Sequence, residues 1–181
     1  MSSDFFDDFA GEVSKRRIFY LVWLGINKPE LLEHVSEDSL TEVLAVLGSS
    51  DWRIKAYAML VLGMVASRGV KLPRYLISEV TKLLSDPNEF VRSGAAWVLG
   101  WAGNSSNGVE DCRVVYDTLS QLLSDRSWVV RAAAVKSLSE IHKECGVLRD
   151  LVKDRLYGVL IGDKNSIVRR VAYDALKNLG E

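Results

Sequence analysis

The chain repeats itself at a nearly fixed interval, and that repetition limits its fold more than any other feature. Four aliphatic–basic pairs, Ile54-Lys55, Val91-Arg92, Val130-Arg131 and Val168-Arg169, follow one another at nearly equal steps, the period of a helical repeat. Four residues after each aliphatic stands an alanine (Ala58, Ala95, Ala134, Ala172), and eight after it a leucine (Leu62, Leu99, Leu138, Leu176). Seven before it stands Leu47, Leu84, Leu123 or Ile161, and eleven before it Val43, Val80, Leu119 or Tyr157. Spacings of four and eight lay side chains on one helical face. The small alanine in the middle of that face lets a neighbouring backbone come close.

Each unit therefore predicts two antiparallel helices joined by a tight turn at a Ser-Asp or Gly-Asp step. The turn aspartates Asp86, Asp125 and Asp163 are placed to cap the helix that follows or to tie the turn down. One helix pair cannot bury its apolar face alone, whereas stacked pairs share a core. The expected fold is an all-α α-solenoid of stacked antiparallel helix pairs, a superhelix of about nine to ten helices. Residues 1–181 read as one domain, with repeats at 29–68, 69–105, 106–145 and 146–181. One further step of the repeat back from Ile54 reaches Arg16, and Leu24-Gly25 then parallels Leu62-Gly63 and Leu99-Gly100. Residues 1–28 thus read as a degenerate N-terminal capping unit, with Phe5 and Phe9 at the places of Val43 and Leu47 and an inner helix from about Ser14 to Ile26.

The repeated Leu-x-Asp, with an aliphatic five residues and a basic residue six residues after the Asp, resembles the HEAT repeat and the related repeats of phycobilisome-lyase-like proteins. Asp86/Arg92, Asp125/Arg131 and Asp163/Arg169 keep that spacing, while the first unit has Ser49 and Lys55 in those places. The resemblance implies a scaffold in which these Asp and Arg residues form a hydrogen-bonded ladder between adjacent units. It makes Arg92, Arg131 and Arg169 structural, against the alternative of a row of arginines gripping phosphates. On that reading Arg131→Ala is destabilising because Asp125 loses its charge-assisted partner.

Catalytic and cofactor signatures are sparse. His34 and His142 lie far apart in the chain, without a helical metal-ligand set, so no metal is expected. Cys112 and Cys145 match no metal or redox spacing and read as two free thiols in a reducing cytosol. Neither a phosphate-binding glycine loop nor a nucleophile elbow is present. The His-Glu pairs of iron-binding HEAT hydroxylases are missing. HEAT-like DNA glycosylases need a basic, aromatic groove with a carboxylate. Trp97, Trp101 and Asp174 are here, but 23 basic against 24 acidic residues leave no cationic excess. The expectation is no enzyme, no cofactor, no membrane span and a cytoplasmic location, with nucleic acid an unlikely partner.

The surface that lines the concave face then carries the functional reading. In such a solenoid the second helix of each unit faces the groove, and counting from the aliphatic its second, sixth, ninth and tenth residues point there. The sixth-residue column is Val22, Leu60, Trp97, Lys136, Asp174, and the tenth is Ile26, Met64, Trp101, Glu140, Asn178. The second is Ile18, Ala56, Ser93, Ala132, Arg170, and the ninth is Gly25, Gly63, Gly100, Ser139, Lys177. The groove is expected to be apolar in its N-terminal half and charged in its C-terminal half. Exposed Trp, Met and Leu in adjacent columns point to a protein-binding patch at Val22, Leu60, Met64, Trp97 and Trp101. The glycine row would admit a partner's backbone. The leading expectation is a non-enzymatic adaptor that holds a peptide or helix of another protein in this groove. Four alternatives stand beside it: ordinary packing of these side chains, a small-molecule pocket, a homodimer, and nucleic-acid binding through Lys136, Lys143, Arg170 and Lys177.

Overall fold

The computed structural model describes residues 16–102, 109–141 and 145–180. Nine α-helices occur among them: α1 (16–27), α2 (Glu37–Ala45), α3 (Trp52–Ser67), α4 (Arg74–Lys82), α5 (Glu89–Ala102), α6 (Val109–Gln121), α7 (Trp128–Ile141), α8 (Arg149–Gly162) and α9 (Ser166–Asn178). The fold is an α-solenoid. The proposed outer part of the N-terminal cap, with Phe5, Phe9 and Ser14, lies outside the described residues, as do His142 and Lys143.

Local chemistry sets the ends of these helices. Asn165 accepts the Ile167 and Val168 N–H groups at the start of α9, Asp51 accepts Arg53 N–H before α3, and Ser36 accepts Ser39 N–H before α2. Pro73 stands just ahead of α4. Gly69, with φ +80, turns the chain away after α3 while its N–H returns to the Ala66 carbonyl. At the turns within units, the aspartate carboxylate accepts the N–H two residues on: Asn88 for Asp86, Ser127 for Asp125, Asn165 for Asp163, each at 2.8 Å. Of the two roles open to these aspartates, tying the turn is the one the geometry shows.

The core is the repeated face. Val91, Val130 and Val168, the four repeat alanines and the four leucines Leu62, Leu99, Leu138 and Leu176 are all buried. Helices α3, α5, α7 and α9 pack directly on one another as an inner row, with α4, α6 and α8 behind them. The last outer helix departs from the counted register. Tyr157 is only partly covered and Ile161 is 82% exposed, although both sit at positions that are buried or half-buried in the other units. In α8 the fully buried residues are Val152 and Leu156. The outer helices α4 and α6 end in 3-10 turns, Leu83–Ser85 and Leu122–Ser124, whereas α8 stays α-helical to Gly162. A 3-10 turn winds three residues per turn rather than 3.6, so three residues kept α-helical rotate the preceding helix face by about 60° relative to the turn.

The cysteines also depart from expectation. Cys112 on α6 and Cys145 just after α7 form a disulfide with their Cα atoms 6.2 Å apart. They are not free thiols: antiparallel α6 and α7 belong to one helix pair, so positions 33 residues apart in sequence meet at the same end of it.

Candidate functional site on the inner helices

Two features organise the inner row: a charged ladder at the helix starts and a column of glycines nearer their ends. In the ladder, Arg92 donates from Nε and Nη2 to both carboxylate oxygens of Asp125 at 2.8 and 2.9 Å, while its Nη1 donates to the carbonyls of Asp86 and Pro87. Arg131 repeats this toward Asp163 at 2.6 and 2.9 Å, with Nη1 on the Asp125 carbonyl. Lys55 bonds Asp86 in the first step. Each arginine thus holds its own turn by a carbonyl and the next unit's turn by a carboxylate. This reverses the pairing inferred for Arg131→Ala: the carboxylate that loses its partner is Asp163, because Asp125 belongs to Arg92. Spacing within a unit could not reveal that, since Asp125 and Arg131 are six residues apart yet meet only through a main-chain oxygen. Arg169, the last of the series, donates Nη1 to the Asp163 carbonyl at 2.7 Å.

The ladder is largely buried, with side-chain exposures of 6–11% for Arg92, Asp125, Arg131 and Asp163. The hydrogen bonds raise the pKa of Arg92 and Arg131 above the usual guanidinium value. Burial alone would push the Asp125 carboxyl up, but Arg92 and the Ser127 N–H outweigh it and hold it below the usual carboxylate range. For Asp163 the bond from Arg131 dominates and lowers the pKa against the opposing effect of burial.

The glycine column does internal work. A Cβ added to Gly25 would lie 2.4 Å from Met64 Sδ, one on Gly63 2.2 Å from the Trp97 ring, and one on Gly100 2.6 Å from Ser137 Cβ. Each glycine therefore receives a side chain of the following unit. The row does not wait for a partner's backbone: Gly63 and Gly100 are buried already.

Val22, Leu60, Met64, Trp97 and Trp101 are half-buried rather than openly exposed, because Met64 and Trp97 back onto the preceding helix. Ile18, assigned to the groove by counting, is 1% exposed and belongs to the core. Lys136, Asp174 and Asn178 are exposed, so the inner face does change from apolar to polar along the solenoid. Trp97, Trp101, Lys136 and Glu140 border a cleft of only about 50 Å³. That is far below the several hundred Å³ of a typical small-molecule site, so this cleft is too small to enclose such a ligand. Of the cations assigned to nucleic acid, Arg170 is tied to Asp174 at 3.1 Å, and Lys136 and Lys177 stand on separate helices.

The family model for HEAT repeats matches residues 38–138. The chain belongs to the HEAT-repeat family. It is 28% identical to the phycocyanin alpha phycocyanobilin lyase CpcF of Synechocystis sp. over 153 residues, covering 82% of this chain and 69% of that protein. It is 33% identical to Integrator complex subunit 4 of Xenopus laevis over 149 residues, or 74% of this chain but 15% of that protein. Among solved structures, the CpcE–CpcF complex of phycocyanin lyase from Nostoc sp. superposes with a TM-score of 0.68 at 19% identity, covering 88% of this chain and 97% of that one.

The likeness to a lyase overturns the expectation that the chain is not an enzyme. That expectation rested on the lack of self-contained catalytic motifs. Such motifs report only a site in which one chain supplies the nucleophile, the base or the metal.

Proposed function

We propose that the inner, concave face holds an extended or helical segment of a partner protein, anchored on Leu60, Trp97 and Trp101. The observation that carries this reading is the graded inner face. Half-buried apolar side chains run along α1, α3 and α5, and give way to Lys136 on α7 and Asp174 on α9. Aromatic side chains already fixed against a neighbouring helix lose little entropy on binding, which suits them as anchors. The cleft beside Trp97 and Trp101, at about 50 Å³, fits the edge of a macromolecular ligand better than an enclosed small one.

The test is affinity capture with the full chain, comparing wild type, Trp101→Ala and a Lys82→Ala control on the outer helix α4, whose side chain is exposed. Proteins lost with Trp101→Ala and kept with Lys82→Ala support the reading. The same set with all three removes its basis. Circular dichroism of each variant separates lost binding from lost folding, and light scattering shows whether the patch instead pairs two copies.

The 28% identity with CpcF favours a second reading, in which the same face receives a protein substrate for bilin attachment or removal. Incubation with phycocyanobilin and apo-phycocyanin alpha subunit tests it. A covalent, denaturation-resistant bilin absorbance on the subunit supports a lyase role, and a rate unchanged from the no-protein control, both for the chain alone and with CpcE added, refutes it.

A further inference from the structure

The junction between the third and fourth helix pairs differs from the one before it, and the differences converge on one cleft. The cleft has a volume of about 570 Å³ and lies on the outer edge of the solenoid, between the turn at Asp125 and helix α8. Its walls include Arg126, Arg155 and Lys164. Counted from the turn aspartates, Lys164 takes the place that Arg126 and Pro87 hold in the earlier units. Counted from the buried leucine or valine of each outer helix, Arg155 stands where α6 has Thr118 and α4 has Glu79. By the same count Gly158 replaces Gln121 and Lys82. A Cβ on Gly158 or Gly162 would meet nothing within 4 Å, so both glycines leave bare floor rather than room for a neighbour.

The charge balance is as specific as the shape. The cleft's two ladder carboxylates, Asp125 and Asp163, are already engaged in bidentate bonds by Arg92 and Arg131. What remains is Arg126, Arg155 and Lys164 against Asp154 alone. Among the described residues, neither Arg155 nor Lys164 makes a hydrogen bond or close ion pair with a protein group. Arg126 reaches only the Pro87 carbonyl, at 3.4 Å. Arg155 and Lys164, both without a protein partner, thus line one cleft with Arg126, whose Nη2 bonds back to the preceding turn, and guanidinium and ammonium groups are the side chains that suit phosphate oxygens.

We propose that this cleft binds a phosphate-bearing small molecule, with Arg126, Arg155 and Lys164 as its anion ligands. The site is separate from the concave face, and its success or failure leaves the reading of that face untouched.

Isothermal titration of the full chain with inorganic pyrophosphate at low ionic strength tests it. Saturable binding is expected, weakened roughly tenfold or more in Arg155→Ala and in Lys164→Ala. Gly158→Gln restores the side chain that α6 carries, changes no charge and favours the helix. It is expected to block the site, while Lys136→Ala on the inner face leaves binding unchanged. No heat up to about 5 mM pyrophosphate overturns the proposal. So does binding that ignores Gly158→Gln and falls equally with Lys136→Ala, which would mark a diffuse field. Binding of duplex DNA without pyrophosphate binding overturns it as well.

Discussion

Replacing Arg131 with alanine removes the Nε and Nη2 bonds to Asp163 and the Nη1 bond to the Asp125 carbonyl in a single step. Asp163, with 7% side-chain exposure, keeps its charge and loses its counter-ion. Breaking a buried pair from one side costs about 3–5 kcal/mol, more than the pair contributes in net terms, because the orphaned charge stays desolvated. Arg169 is the internal control: the same residue at the same place in the repeat, but half-buried and bonded to one main-chain oxygen. Arg169→Ala should therefore cost only about 0.5–1.5 kcal/mol. Urea unfolding of the full chain followed by far-UV circular dichroism reads both, with a midpoint for Arg131→Ala well below that of Arg169→Ala. The pH dependence supplies the sign. Asp125 and Asp163 have depressed pKa values in the folded chain, so their contribution is present above the usual carboxylate range and is lost as pH falls through the folded values. Wild type should lose stability in acid more steeply than Arg131→Ala. Equal midpoints for the two alanine variants, or parallel acid curves for wild type and Arg131→Ala, would falsify the account of the ladder.

Three further outcomes follow from the packing. Gly63→Ala drives a methyl group into the Trp97 ring and should cost about 1–3 kcal/mol, whereas Gly158→Ala, with open space around it, should gain about 0.5–1 kcal/mol; thermal melts of the pair decide it. Cys112→Ser with Cys145→Ser opens a link across 33 residues and should lower stability by about 3–4 kcal/mol, with wild type in strong reductant moving toward the variant. Ser137 buries a hydroxyl without a hydrogen-bond partner against Gly100, so Ser137→Ala should be neutral or stabilising by about 1 kcal/mol in the same melts; a clear loss would mean that the hydroxyl is engaged.

What the sequence made legible is what depends on spacing within one helix. The aliphatic, alanine and leucine columns at intervals of four are buried because an α-helix returns to the same face at that interval. Features that depend on how one unit meets the next were not legible in the same way. Counting placed Gly63 on the open groove, but its role is fixed by Trp97, which reaches it from the neighbouring inner helix α5. The family resemblance implied a ladder between units, but it was read with Asp125 as the partner of Arg131, where the structure has Asp163 of the next unit. The disulfide was missed because its spacing matches no local motif, though the antiparallel pairing of α6 and α7 would have put Cys112 and Cys145 at one end. The exposed Ile161 was missed because α8 continues as α-helix where α4 and α6 tighten into 3-10 turns.

Unit-to-unit contacts in this chain are directional, and the direction explains how the last described unit differs from the rest. Each inner helix offers forward a basic residue, then a small or aliphatic one, then a glycine or serine: Arg92, Ala96 and Gly100 on α5, and Arg131, Val135 and Ser139 on α7, all of them buried. On α9 the same places hold Arg169, Tyr173 and Lys177, and the last two are exposed. Arg170 and Asp174 add a solvated pair on the same helix, 73% and 53% exposed. The core column of Val168, Ala172 and Leu176 is buried all the same. The same helix can therefore close the core on one side and face water on the other, because the core residues and the forward-facing residues occupy separate stripes of one helix.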